Sequence, residues 1–395
     1  MIVMGTTILP QFTDSKIITF TQDYDLHAFA VDEILKRMGA ESILFSTSSF
    51  LIDEKASVWY DNGDSYLSLK ELSICTKDIT SVWYRRVSPR LSLPENVNPS
   101  DVQHIRSNAR SALIGIASLF DDAFIVNSPS AKVLSTKLNQ LKFAERSGLR
   151  VPKTIITNNY VHVLDFINKL DHVCLKSLTP YSWQTNDGFK VAMAHRLTRN
   201  AAKEIITEDC CKICPMIYQE YIEKRCEYRV TIFGNFYAAV RINSQELDSD
   251  GAMDWRADQN YLNNLEKSLL PDDIISACKR LLKALGLRFG TFDLAETPDG
   301  EFVFFEVNQA GQWLWQELFS SECIILQPFC EYLCEADDNF VWDGKRRSSE
   351  LSADNIVSYL KNTGSIKDPP NLGGNDPSDI LYFSDEREVI RRSGD

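Results

Sequence analysis

The chain has no excess of positive charge: 42 Lys and Arg stand against 55 Asp and Glu, a formal net charge of -13. Neutralising a phosphate backbone takes clustered cations, so nucleic acid is excluded as a partner. No apolar run approaches the length needed to cross a bilayer, and no basic n-region precedes the short apolar stretch in MIVMGTTILPQFTDSK at the N-terminus. A cytoplasmic protein with no membrane partner is expected. No His follows the CCKIC cluster (Cys210, Cys211, Cys214), and only Cys211 and Cys214 have CxxC spacing. The cysteines therefore read as reduced thiols, with a soft-metal site there or at Cys330 and Cys334 as the lesser alternative. There is no glycine-rich phosphate loop and no internal repeat.

What remains is a globular chain of 395 residues, 44% hydrophobic and 25% charged, long enough for two or three domains with cores. Its first part alternates strand and helix signals in an open α/β layout: KIITFT (16–21), an amphipathic helix over 25–38 stopped by Gly39, a strand over 42–45, a hairpin around DNGD (61–64), and ITSVWYRRV (79–87). Arg85 and Arg86 end that last strand and read as a solvated pair, with a ligand-facing role as the alternative. A helix over 100–119 and a strand over 124–127 lead to Ser128-Pro129. Ser130 then caps a helix that carries Lys137 and ends near Gly148. VPKTIIT restarts an extended segment, HVCLKSL (172–178) places Lys176 in an apolar strand, and YSWQTNDG (181–188) reads as a flexible turn that serves as a lid. MIYQEYI (216–222), YRVTIF (228–233) and FYAAVRIN (236–243) are strands, and 272–285 is a helix. Beyond about Asp337 the composition turns polar and rich in Gly, Pro and Ser, which predicts a weakly ordered tail apart from a helix over 355–361.

The most informative stretch is FGTFDLAETPDGEFVFFEVNQAGQWLW (289–315). Two apolar runs flank Thr297-Pro298-Asp299-Gly300, a turn signal, so the segment reads as a β-hairpin. With that turn as centre, Asp293 falls opposite Phe304, and Phe304, Glu306 and Asn308 share a face because side chains alternate. Asp293, Glu306 and Asn308 converge on one side, with Asp293 and Glu306 a diagonal pair whose backbones lie roughly 7–8 Å apart. Carboxylates on buried strands are costly unless neutralised, and magnesium carrying a nucleotide phosphate is the natural candidate. Trp313 and Trp315 alternate along one extended face and read as core or pocket wall.

Taken in order, these pieces resemble the ATP-grasp superfamily, and more closely its peptide-maturing ligases of the microviridin and wider graspetide group. The motifs that carry the resemblance are SVWYRR (81–86), VNSP (126–129), KLNQLKFAERSGLRVPKTIITN (137–158), QEYIEKRCEYRVTIFG (219–234), RINSQ (241–245) with DWR (254–256), and FEVNQAGQWLW (305–315). Their shared order is more specific than any one of them. Two departures stand out: NQAGQW replaces a proline-containing loop, and Asn243 stands where an aspartate is common in the group.

The resemblance implies an α/β (α+β) chain with the ATP-grasp fold: an N-terminal Rossmann-like pre-ATP-grasp domain (1–128, with a boundary near 151 equally defensible), a central subdomain with lid (129–215), a C-terminal catalytic subdomain (216–335) and a polar tail (336–395). It implies ATP and Mg2+ as cofactors, a leader-bearing ribosomal precursor peptide as partner, and a homodimer. Lys137 and Lys176 would grip the polyphosphate, with Gln219 leading into the hinge Glu220, Tyr221 and Ile222, which pairs with adenine, and Glu227 accepting from ribose. Asp293, Glu306 and Asn308 would hold magnesium, and Arg229 and Arg241 would bind the γ-phosphate and acyl phosphate. Backbone N–H groups at Gly311-Gln312 would support the tetrahedral oxyanion, and Asp254 and Arg256 form the substrate-side motif. The activity implied is activation of a peptide side-chain carboxylate and closure of a lactone or lactam on the same peptide. A ligase joining a free amine to a peptide or small acid shares every nucleotide-site residue, and an inactive nucleotide-binding scaffold is the third reading.

Overall fold

Strands rich in β-branched and aromatic residues, each followed by a capped helix or a tight turn, build three main sheets. The computed structural model describes residues 9–366 except 24, 49, 53–54, 70–71, 87–92, 179–181, 186–187, 192–193 and 247–264. The N-terminal unit contains β1 (Lys16–Thr21), α1 (Leu26–Arg37), β2 (Glu41–Ser46), β3 (Ala56–Asp61), β4 (Asp64–Leu69), β5 (Leu72–Cys75), β6 (Ser81–Tyr84), α2 (Val102–Ala117) and β7 (Phe124–Val126). β2-β1-β6-β7 form a parallel sheet, and β3-β4-β5 an antiparallel meander beside it. The Asp25 side chain caps α1 by accepting from the His27 N–H, and Gly39 at φ 77 lets the chain turn into β2.

The middle unit runs α3 (Pro129–Leu134), α4 (Lys137–Arg146), β8 (Thr154–Thr157), α5 (Tyr160–Asn168), β9 (His172–Lys176), β10 (Ser182–Thr185), β11 (Gly188–Val191), β12 (His195–Thr198), α6 (Arg199–Ile205), α7 (Glu208–Ile213) and β13 (Met216–Glu220). Its antiparallel sheet has the order β12-β9-β13-β8. The apolar stripes of α5 and α6 (Val163, Ile167, Ala202) pack on Val173 and Tyr218 of that sheet. Two sequence expectations need correction. The single helix capped by Ser130 is two helices: Ser128 caps α3 through the Ala131 N–H, and Thr136 caps α4 through the Asn139 N–H. The segment read as a flexible turn instead pairs β10 with β11 as an antiparallel ribbon.

The C-terminal unit holds β14 (Cys226–Phe233), β15 (Phe236–Ile242), β16 (Leu265–Lys267), α8 (Asp272–Ala284), β17 (Phe289–Glu296), β18 (Phe302–Asn308), α9 (Leu314–Phe319), α10 (Leu326–Glu335) and α11 (Ala353–Asn362). Its sheet, β16-β15-β14-β17-β18, is antiparallel throughout, and the central strands β14 and β17 are buried along their whole length. α8 covers one face through Ile275, Cys278, Leu281 and Leu282. On the other face Phe233 and Phe289 share one core with Trp313, Phe329 and Tyr332, and with Val31, Ile34 and Leu35 of α1. The two tryptophans are core, as expected, but Trp315 lies in the first turn of α9 rather than on an extended face.

The helix expected over 355–361 is α11, and the correction concerns the stretch around it, residues 337–366, which is packed onto the core rather than weakly ordered. α11 packs against α1 and α9, burying Ala353, Ile356, Val357 and Leu360. The buried Glu317 carboxylate accepts the N–H groups of Ile325 and Leu326 (both 2.8 Å) and of Ala353 (2.9 Å), tying together the first turns of α10 and α11. The polar composition of this stretch masked a narrow apolar stripe.

Candidate active site

The hairpin β17–β18 sets the site. Thr297 N donates to Glu301 O at 3.0 Å and Gly300 sits at φ 87, so the loop proper is Pro298-Asp299-Gly300, one residue longer than the Pro298-Asp299 loop that a turn over 297–300 leaves. Leu294 therefore pairs with Phe304, and a bulge between Asp293 and Leu294 brings Asp293 directly opposite Glu306. The expected pairing of Asp293 with Phe304 is thus corrected. Without the bulge Phe305 would oppose Asp293 and Glu306 would turn to the α8 face. As direct cross-strand partners the two carboxylates stand closer than a diagonal pair.

β14 adds the counter-charge. Arg229 pairs in register with Asp293, and its Nη1 donates to Asp293 Oδ1 at 2.6 Å with both side chains under 10% exposed. The Arg229 Nε has no hydrogen-bond partner among the described residues. Lys137, the first residue of α4, stands with Nζ 3.6 Å from Glu306 Oε2 and donates to Ser177 O at 3.3 Å, so it spans the gap between the two antiparallel sheets. Lys176, at the end of β9, lies 4.9 Å over the Phe305 ring and donates to Gln219 Oε1 at 2.9 Å; Gln219 in turn donates to Thr154. Lys137, Lys176, Glu306, Asp293 and Arg229 thus line one cleft between the central and C-terminal sheets.

The hinge is already partly bonded. Glu220 N donates to Lys153 O at 2.8 Å and Tyr221 N to His172 O at 3.4 Å, and Ile222 is buried beyond them. Glu227, two residues before Arg229 and on the same face, accepts from Lys224 Nζ at 2.7 Å with both side chains under 10% exposed. Sequence reasoning missed Lys224, although it sits inside the quoted QEYIEK motif. A buried ammonium three residues from a buried carboxylate is the available signal.

Other expected residues are placed differently. Arg241 opposes Tyr228 in β15, so it points to the face away from Arg229 and Asp293; Cys226 is beside it and Glu266 is 3.9 Å away. Asn308 shares the Asp293 face, but its Oδ1 accepts the N–H groups of Ala310 (3.0 Å) and Gly311 (2.9 Å), folding the NQAG loop back on the strand. The Gly311 N–H is therefore spent on Asn308, not presented to an oxyanion. Asp254 and Arg256 lie outside the described residues.

The N-terminal unit clasps that loop. Arg85, read from sequence as a solvated strand-end residue, is 1% exposed, pairs with Asp25 at 2.7 Å, and donates to Ala310 O (2.7 Å) and Gly311 O (2.9 Å). Burial works against the Asp25 charge, but Arg85 and Arg86 hold its carboxyl well below the usual range. His27 is held neutral by burial and by Arg85, and its Nε2 accepts from Trp313 N and Leu314 N, both 3.1 Å. Asn127 uses all four of its side-chain bonds here, donating to Phe289 O and Gln309 O and accepting from Arg288 N and Phe289 N. Gln140 of α4 bonds Val307 N and O in the same manner. VNSP and KLNQ are thus the residues that hold β18 and its loop in place.

The donor chemistry of the cleft suits a hard cation: two opposed carboxylates give oxygen ligands only, and Arg229 and Lys137 supply the charge that otherwise makes burial costly. A model of the MvdD pre-ATP grasp domain matches residues 16–132. Among solved structures the chain is similar to a RiPP-associated ATP-grasp ligase from Chryseobacterium gregarium, in complex with ADP and a leader and core peptide. The TM-score is 0.74 at 27% identity, covering 83% of this chain and 100% of that one. It is also similar to the macrocyclase MdnC from Microcystis aeruginosa bound with precursor peptide MdnA, with TM-score 0.71, 24% identity and coverage of 82% and 100%. The ATP-grasp ligase PsnB, complexed with precursor peptide PsnA2 and AMPPNP, gives TM-score 0.63 at 19% identity, covering 84% and 99%. Below 25% identity the latter two speak for the fold alone. No curated protein matches. Residues 16–132 thus match the MvdD pre-ATP-grasp domain, and the chain as a whole is similar in fold to ATP-grasp ligases.

Proposed function

We propose that this chain is a graspetide-type macrocyclase that cross-links a ribosomal precursor peptide. A side-chain carboxylate of the peptide attacks the γ-phosphorus of ATP, ADP leaves, and a Ser or Thr hydroxyl or a Lys amine of the same peptide displaces phosphate from the acyl carbon, giving an ester or amide. The observation that carries this reading is the cleft in which Lys137 reaches across to Glu306 beside the Arg229–Asp293 pair. It occurs in a chain similar over 83% of its length to a ligase solved with ADP, leader and core peptide.

Each residue of the cleft has a physical role to match. Lys137 and Lys176 offer compact ammonium charges to phosphate oxygens, and the Gln219 amide keeps Lys176 extended toward the cleft. Lys224 holds Glu227 in a fixed orientation for the ribose hydroxyls. With the Glu220 and Tyr221 N–H groups bonded within the protein, adenine recognition falls to Ile222 and the hinge carbonyls. Arg229 has a spare donor and serves the transferred phosphoryl group, whereas Arg241 supports the opposite face of the sheet. Magnesium held by Asp293 and Glu306 would neutralise charge on the phosphates, with Asn308 shaping the loop beside it. Asp254 and Arg256 complete the substrate side. The partner is a leader-bearing precursor, and the working form is a cytoplasmic homodimer.

The test is mass spectrometry of a neighbouring precursor peptide incubated with the protein, ATP and magnesium, with ADP followed in parallel. Loss of one water per ring together with ADP release is expected. A mass gain with ADP would identify ligation to a free amine, and no change in either channel would return the inactive scaffold.

A further inference from the structure

The parallel sheet of the N-terminal unit has a topological switch point. β2 lies on one side of β1, and β6 and β7 on the other, so a crevice opens at the carboxyl ends of β1 and β6, where open α/β sheets gather ligands. Arg85 and Arg86 follow β6 directly. Arg85 is committed to Asp25 and to the Ala310 and Gly311 carbonyls. Arg86 is half-buried beside it, close enough that its charge acts on Asp25, His27 and Lys132.

Lys132 of α3 enters the same crevice. Its Nζ donates to Arg85 O at 2.7 Å and stands 4.4 Å over the Tyr84 ring, and its own carbonyl accepts from Gln309 Nε2 at 3.4 Å. The lysine is thereby set against the loop that runs back through Asn308 to Glu306. Burial foremost, with the like charges of Arg85 and Arg86 adding to it, pushes its pKa down to about 7. Among the described residues, Asp25 is taken by Arg85, and Asp23 accepts from Ser46 on β2 while its backbone N–H donates to Ser48. A sheltered crevice with surplus positive charge beside a reaction cleft is an anion site in waiting.

We propose that Arg86 and Lys132 form the subsite that receives the peptide side-chain carboxylate about to be activated. This rests on the macrocyclase reading and names its acceptor pocket. Arg86 offers a fork that matches a carboxylate, and Lys132 a point charge on the side facing the Gln309–Gly311 loop. Arg85 and Asn127 fix the carbonyls of that loop. Binding of the carboxylate would restore the Lys132 ammonium; among the described residues Arg85, Arg86 and Tyr84 are the charged or titratable groups beside it.

The experiment uses the full chain with Mg·ADP present and titrates N-acetyl-glutamate α-amide against its neutral isostere, N-acetyl-glutamine α-amide, by calorimetry or ligand-observed NMR. The glutamate compound should bind about tenfold more tightly than the glutamine one. Arg86→Gln and Lys132→Met should each remove most of that preference, and Lys132→Arg should retain it, all with Mg·ADP affinity unchanged. Equal binding of the two compounds, no saturable binding of either, or an undiminished preference in both charge-removing variants overturns the subsite. Failure of the wild-type protein to bind Mg·ADP would instead sink the ligase reading, so the two failures are distinct. Either substitution alone decides the matter if melting curves show that the other misfolds.

Discussion

At the scale of single residues, charge pairing decides what each side chain can do. Asp293 and Glu306 look alike in the sequence, yet Asp293 is locked to the buried Arg229 while Glu306 faces Lys137 at a partly open position. Glu306→Gln should abolish ADP formation with little change in stability. Asp293→Asn should abolish it too, but should also cost about 3–5 kcal/mol, because it strands a buried guanidinium. Chemical denaturation beside an ADP assay separates the two; equal stability of both variants would show that Arg229 does not depend on Asp293. Lys224 and Glu227 follow the same rule, as do Arg85 and Asp25. In each case the sequence exhibits the charges but not the partner, since the ion pair joins residues whose proximity or burial depends on the fold.

At the scale of elements, the β17–β18 hairpin and the loop after it form the unit on which the site depends. The sequence makes the hairpin legible through Pro298-Asp299-Gly300 and two apolar runs. The length of the loop and the bulge at Phe305 change the register, and both follow from local hydrogen bonding that alternation alone does not encode. The loop then depends on Gly311. At φ +57 a side chain there is strained, and a Cβ would lie 2.6 Å from the Phe289 ring and 2.8 Å from Thr291 Oγ1. Gly311→Ala should cost at least about 1–3 kcal/mol and lower turnover by displacing the carbonyls that Arg85 holds. A denaturation midpoint equal to that of the parent would show that the loop can relax around a methyl group.

At the scale of the whole molecule, the N-terminal and C-terminal units share a core, so the pre-ATP-grasp domain is part of one packed body rather than an appendage. α11 and the turn before it seal that core from outside, with Leu351, Ile356, Val357 and Leu360 all 7% exposed or less. Each such side chain is worth about 1.5–3 kcal/mol, against a total stability of about 5–15 kcal/mol for a typical domain. Truncation after Ser348 should therefore leave a protein with a much lower melting temperature, or one that is insoluble. An unchanged melting temperature would mean that α11 contributes no net stability.

Periodicity, caps and motif order in the sequence were enough to determine the alternating α/β front, the hairpin and the convergence of Asp293 with Glu306, because these depend on local spacing and on short turns. Only the tertiary structure decided that Arg241 faces away from the cleft, that Asn308 and Gly311 bond each other, and that Arg85 is buried against a loop 225 residues further along the chain. Strand register sets the face of a side chain, and burial sets whether a charge must find a partner. Both are settled by contacts between segments far apart in the chain, which no window of the sequence contains.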